Sequence, residues 1–295
     1  MNFYDLNKKS IQWLTLFFLA FIWGSSFILM KRGLDVYSHN EVAALRISLA
    51  FIVMLPFAIK HFKKVDKVYW KYIFIVGLLG NFIPAFLFTK AQTEISSALT
   101  GMLNSLVPVF SLLIALFVFK AKIQKIQSLG VFIGLIGATG LIISNGLDFE
   151  SSNISYTLYI IVATICYAIS VNVIKNYLKE INSIAITALA FFMVGPWAII
   201  YLFTTDFVST TLTNPNALLS LNYIAILAVF GTALAVIVFN MLIKKTTTIF
   251  ATSVTYLIPV IAILWGIFDN EAINFYHILS IAIIFTGVYF INKAS

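Results

Sequence analysis

Ten apolar stretches divide this chain, and its cations fall almost entirely into every second gap between them. The stretches cover residues 12–30, 41–59, 72–89, 97–119, 126–145, 156–174, 184–204, 219–242, 249–268 and 275–292. Each is close to the roughly 20 residues that carry a helix across about 30 Å of hydrocarbon. Counted from the N-terminus, the odd-numbered gaps hold Lys8, Lys9, Lys60, Lys63, Lys64, Lys67, Lys71, Lys120, Lys122, Lys125, Lys175, Lys179, Lys244, Lys245 and Lys293, 15 cations. The even-numbered gaps hold 3, namely Lys31, Arg32 and Lys90, and Arg46 alone lies inside a stretch. Acids lean the other way: Asp35, Glu41, Glu94, Asp148, Glu150, Asp206, Asp269 and Glu271 share the cation-poor side. Short basic loops are retained in the cytoplasm. The alternation therefore predicts an all-α integral membrane protein of ten transmembrane helices with both termini cytoplasmic. With 17 Lys against 2 Arg, an AT-rich bacterial genome is the expected source, and the plasma (inner) membrane the expected location.

Composition agrees. The chain is 61% hydrophobic and 10% charged, whereas a soluble domain carries about 25% charge. The net charge of +8 collects on one face, where anionic lipid headgroups attract it. The lipid bilayer, not nucleic acid, is the partner this implies. Cys166 is the single cysteine, so no disulfide is expected. His39, His61 and His277 are too scattered for a metal site, and no cofactor or metal is expected. The first stretch is too long for a leader's apolar core and reads as a retained span.

The chain also repeats itself. Ser105-Leu-Val-Pro-Val109 corresponds to Tyr256-Leu-Ile-Pro-Val260 at an offset of 151 residues. The same offset pairs Asn104 with Thr255, Ser97 with Thr248 and Lys120 with Glu271. After a one-residue gap, Gly130 and Gly137 fall opposite Ser280 and Gly287. Near the starts of the halves, Trp23-Gly24 and Lys31 match Tyr167-Ala168 and Lys175 at an offset of 144. Each half, 1–147 and 148–295, then holds five spans. Five is odd, so the second half enters the membrane inverted. The charges flip accordingly: the loop after the fourth stretch is basic, and that after the ninth is acidic. Inverted repeats of this kind are typical of secondary transporters, whose solute sites lie at mid-membrane between the repeats.

Polar and special residues at mid-depth mark the candidate site. Pro108 and Pro259 cannot donate to the carbonyls of Asn104 and Thr255. An unpaired carbonyl in hydrocarbon is costly, so these breaks are expected to line a cavity rather than to be simple packed kinks. Trp23 and its repeat mate Tyr167 lie deep, where their N–H and O–H need partners. Ser26, Asn81, Phe88, Asn240 and Tyr256 join them in the expected cavity; Asn172 and Thr252 offer further polar groups. Gly24 and Ser25 are read as packing residues. Arg46 is either a gate or anion contact or a paired structural charge. The structural pairing is the expected role, with Glu94, Asp35 or Glu41 as partner. No carboxylate lies at mid-membrane, which argues against coupling through a buried acid.

Trp23-Gly24-Ser25-Ser26-Phe27 followed by Lys31, Ala44-Leu45-Arg46, the two Leu-Val/Ile-Pro-Val cores, the glycines at 130–137 and Glu271 together resemble the drug/metabolite transporter superfamily in its ten-helix EamA-type branch. The resemblance spans nearly the whole chain. It departs at Lys120, where the family often has Glu. It implies a carrier, not an enzyme, that exports or exchanges an amino acid-like or amphipathic small solute across the plasma membrane by alternating access. A channel or non-transporting scaffold is the alternative. A membrane-embedded lipid enzyme would need a clustered nucleophile and base, which the sequence lacks. Solute, direction, coupling ion and oligomeric state stay open.

Overall fold

The computed structural model describes residues 6–95, 100–101, 103–144, 154–268 and 275–293. Among them every regular element is helical. In chain order these are α1 (Lys9–Leu34), α2 (His39–Phe62), α3 (Lys67–Ala91), α4 (Asn104–Phe117), α5 (Lys125–Ser144), α6 (Ile154–Tyr177), α7 (Ser183–Leu202) and α8 (Ala217–Lys245). Next come α9, in two pieces Thr248–Thr252 and Val254–Phe268, and α10 (Phe275–Lys293); a short helix, Phe207–Thr213, precedes α8. By length and composition α1, α2, α3, α6, α7 and α8 are able to cross a membrane, and α4, α5, α9 and α10 are apolar but shorter over their described stretches. Large apolar side chains face outward on many of these helices, Phe21, Phe117, Trp197 and Leu218 among them. Such a surface suits lipid and would be an aggregating patch in water.

Local chemistry sets several boundaries. Ser38 begins α2 with a capping box: its hydroxyl accepts from the Glu41 N–H, and the Glu41 carboxylate accepts from the Ser38 N–H at 2.8 Å. The Asn182 side chain accepts from the N–H groups of Ile184 and Ala185 to start α7. At the other end of α8, Lys175 reaches across from α6. Its ammonium donates to the carbonyls of Ile243, Lys244 and Thr246, while Lys244 donates to the carbonyl of Ile181. A cation on the last carbonyls of a helix satisfies groups with no intrahelical partner.

Helix pairing follows a rule. α1 packs on α9 as α6 packs on α4; α8 packs on α1 as α3 packs on α6; α8 packs on α2 as α3 packs on α7. Advancing five helices maps each pair onto its counterpart. α2 packs against its own counterpart α7, and α5 against α10. The α5–α10 pair is antiparallel and so close that a methyl on Gly130 would lie 2.7 Å from the Gly287 carbonyl oxygen, and one on Gly137 2.9 Å from that of Ser280. Small residues permit this approach.

Two features correct the sequence-based picture. The carbonyls freed by the prolines do not open to a cavity. That of Asn104 accepts the Val107 N–H in a turn of 3-10 helix, and that of Thr255 accepts the Ser105 hydroxyl at 3.1 Å. Pro108 and Pro259 are buried, and the carbonyls they free are closed by protein groups. Second, α3 and α8 each contain a π-helical stretch, Leu78–Phe82 and Leu227–Leu234, that the hydrophobic pattern gives no hint of. Ser97, Asp148, Glu150, Asp269 and Glu271, used in the charge and repeat arguments, lie outside the described residues.

Candidate functional site

The two π-helical stretches contribute to the lining of one cavity. Each widened turn carries a glycine followed by a polar residue, Gly80-Asn81 and Gly231-Thr232, separated by the same 151 residues as the prolines. The polar side chains bond backward in the same way. Asn81 Nδ2 donates to the Val76 carbonyl at 3.3 Å, and Thr232 Oγ1 to the Leu227 carbonyl at 3.1 Å. Both bonds span five residues, the period of the π-helix, so each side chain helps satisfy the carbonyl that the wide turn displaces.

Around these turns lies a cavity of about 980 Å³, counting its opening. Trp23, Ser26, Phe27 and Met30 reach it from α1, Arg46 and Ile47 from α2, and Val76, Gly80, Asn81 and Phe88 from α3. Asn104 and Val107 of α4 and Tyr167, Ser170, Val171 and Ile174 of α6 continue the wall. Gly231, Thr232, Val236, Phe239 and Asn240 of α8 and Thr255 and Ile258 of α9 close it.

Its aromatic walls come as a related pair. The Trp23 ring meets Phe239 edge-on with centroids 5.0 Å apart, and Tyr167 meets Phe88 at 5.8 Å. Phe88 and Phe239 again differ by 151 positions and Trp23 and Tyr167 by 144. Trp23 Nε1 donates to the Gly231 carbonyl at 2.9 Å. That bond ties α1 to the π-helical turn of α8. Asn240 Nδ2 donates to Thr187 Oγ1 at 2.9 Å, which joins α8 to α7 behind the wall. Ser26 donates to the Ile22 carbonyl at 2.8 Å, bonding back within α1 rather than across the space.

Of the residues picked out by sequence, the cavity brings together Trp23, Ser26, Arg46, Asn81, Phe88, Asn104, Tyr167, Asn240 and Thr255. It does not include Pro108, Pro259 or Tyr256. The reason for Tyr256 is helical geometry: one residue beyond Thr255 it points about 100° away. Its hydroxyl donates to the Val131 carbonyl at 2.9 Å, and its ring packs on Gly134 of α5. Tyr256→Phe should therefore lower stability by about 1 kcal/mol, the value of one such bond, which thermal melting checks. Sequence reasoning missed Gly80, Gly231, Thr232, Ser170 and Phe239. The 151-residue offset, applied to Asn81 and Phe88, would have found Thr232 and Phe239.

Arg46 is placed differently from the expected ion pair. Among the described residues it has no acidic partner. Asp35 pairs with Arg32 at 3.6 Å, Glu41 is held in the α2 capping box, and Glu94 is exposed. Arg46 Nε instead donates to Thr232 Oγ1 at 2.7 Å. The Thr232 proton is already directed to Leu227, so its lone pair is turned to the guanidinium. The cation lies beside Tyr167 at the cavity wall.

The comparisons with known proteins agree with this architecture. The EamA-like transporter family matches residues 11–143 and again 154–293. A protein of Archaeoglobus fulgidus named as an uncharacterized transporter is 24% identical over 288 residues, covering 96% of this chain and 99% of its own. The Escherichia coli protein named as the uncharacterized inner membrane transporter YedA is 25% identical over 255 residues, 85% of this chain and 80% of its own. One solved crystal structure superposes on 96% of this chain and 96% of its own with a TM-score of 0.71 and 13% identity. That last likeness is one of fold.

Proposed function

The chain belongs to the EamA-like transporter family, and from that premise we propose that it is a secondary carrier that exports or exchanges a small amino acid-like or amphipathic metabolite. It is a membrane protein; the proposal adds the bacterial inner membrane, ten spans, cytoplasmic termini and two inverted five-helix repeats, 1–147 and 148–295. The single observation that carries the reading is the central cavity, whose walls are supplied in matched pairs by the two halves. Trp23–Phe239 and Tyr167–Phe88 form one such set, and Gly80-Asn81 with Gly231-Thr232 the other. The five-helix rule of packing and the antiparallel crossing of α5 and α10 support the inversion. A site at the interface of inverted repeats can be exposed alternately to either side by rocking one against the other.

Counterflow in proteoliposomes tests this. Vesicles preloaded with amino acids, nucleosides, sugar phosphates or cationic dyes are supplied with the same labelled solute outside. A carrier shows saturable uptake accelerated by internal solute. Uptake that is unsaturable and indifferent to internal solute is channel behaviour and would overturn the reading. Reporter fusions test the topology: those after Lys64 and Lys125 should read cytoplasmic, and one after Glu150 external. An external reading at Lys64 would reverse the orientation.

A further inference from the structure

Arg46 places a permanent positive charge on the wall of a mid-membrane cavity. An arginine keeps its charge in proteins, and an unbalanced ion inside a membrane protein is costly unless it is paired or wet. Among the described residues no Asp or Glu lines this cavity, and none pairs with Arg46. The Nε–Thr232 bond at 2.7 Å fixes the plane of the guanidinium. Both η nitrogens remain without a hydrogen-bond partner among the described residues. That is the fork that receives a carboxylate through two parallel bonds. A second group in the same cavity also lacks its partner. Asn104 is 7% exposed, and its Oδ1 makes no hydrogen bond. A buried acceptor left unsatisfied is unfavourable, so this carboxamide is suited to an N–H or O–H brought in by the solute. Trp23, Phe27, Phe88 and Phe239 give the space an aromatic side, and Ser26, Asn81, Ser170, Asn240 and Thr255 add uncharged polar groups to its wall.

We infer that the solute is an organic monoanion: its carboxylate docks on the η nitrogens of Arg46, its amide or hydroxyl hydrogen meets Asn104, and its apolar body lies against the aromatic wall. This deepens, and rests on, the reading of the cavity as the carrier's solute site. It turns the electrostatics into a selectivity rule. An organic cation of the same shape is repelled by Arg46 and finds no carboxylate in the cavity to receive it. A neutral amide gains the aromatic contact but leaves the buried guanidinium uncompensated.

A matched set of probes tests this on the purified full-length protein: N-acetylphenylalanine, its neutral primary amide, 3-phenylpropionate and phenethylammonium. Equilibrium binding is read in nanodiscs by thermal stabilisation and by competition. N-acetylphenylalanine is expected to bind roughly ten- to a hundredfold more tightly than its amide, the range of a charge-assisted hydrogen bond. 3-Phenylpropionate, which lacks the N–H, should fall between them, and phenethylammonium should not bind. Arg46→Gln should erase the preference for the carboxylate over the amide, and Arg46→Lys should retain part of it. Asn104→Ala should bring N-acetylphenylalanine and 3-phenylpropionate to equal affinity. If a variant does not fold, the ranking on the unmodified protein decides alone. Equal binding of all four probes, preference for the cation, or no binding of either carboxylate at millimolar concentration would overturn the inference. Binding and counterflow separate the two readings. Carboxylate binding without counterflow defeats the carrier and leaves the anion site standing. Counterflow of a cationic dye, with no carboxylate binding, does the reverse.

Discussion

Gly287→Ala is expected to separate α10 from α5 and to cost about 3 kcal/mol, the upper part of the range for overpacking a close-packed interior. The added methyl would lie 2.5 Å from the Gly134 nitrogen, 2.7 Å from the Gly130 oxygen and 2.8 Å from the Gly134 Cα. All three are backbone atoms of a helix, so no side chain can rotate aside. Relief requires the whole helix to move, and that movement would also disturb Tyr256, whose hydroxyl is anchored on the Val131 carbonyl of the same helix. Gly140→Ala is the matched control. Its methyl would lie 2.6 Å from the Ser280 hydroxyl oxygen, the end of a side chain that can turn, so a loss below about 1 kcal/mol is expected. Melting of both variants in the same detergent distinguishes them. Equal losses would show that backbone apposition is not what holds this pair together.

The contrast between these two glycines shows what could be read from the chain. Gly130, Gly137, Ser280 and Gly287 were already paired by the internal repeat, since small residues at matching positions are visible in a sequence. Their direct contact across α5 and α10 is a consequence of the fold. Trp23, Tyr167, Asn104 and Thr255 were identifiable because an aromatic amphiphile or a polar group at mid-membrane depth needs a special environment. The π-helical turns were not identifiable, because π and α turns share the same apolar composition. Gly80-Asn81 reads as an ordinary small-polar pair until Gly231-Thr232 is set beside it. Arg46 failed for a different reason. Its position inside α2 is plain from the sequence, and so are two acids close by, Asp35 and Glu41. Yet Glu41 is held by Ser38 and Asp35 by Arg32. The group that orients Arg46 is a threonine 186 residues away, a separation that no local pattern can bridge. Pro108 and Pro259 lie next to the cavity without lining it. Neither proline is part of its wall, while the residue four positions earlier, Asn104 or Thr255, is.

Trp23→Ala should reduce transport at least about tenfold, corresponding to ~1.4 kcal/mol of lost solute or transition-state binding. Two contributions disappear together. The indole N–H is bound to the Gly231 carbonyl at 2.9 Å, a bond between α1 and the widened turn that also presents Thr232 to Arg46. The ring forms half of the aromatic pair with Phe239, and such pairs contribute roughly 0.5–1.5 kcal/mol beyond the area they bury. Trp23→Phe separates the two, because it keeps a ring against Phe239 and loses the N–H. Its transport should fall between that of the alanine variant and that of the unmodified protein. Trp197→Ala removes a tryptophan of α7 that is 66% exposed and has no place in the cavity, so its transport should be unchanged. The rates are compared by counterflow at equal amounts of reconstituted protein, with melting temperatures measured in parallel. Should Trp23→Ala transport as well as Trp197→Ala, the aromatic wall would be packing alone. Should it instead lose transport only in proportion to folded protein, Trp23 would act as a strut between α1 and α8. A melting temperature close to that of the unmodified protein, joined to the tenfold loss, is the result that assigns the wall to the solute.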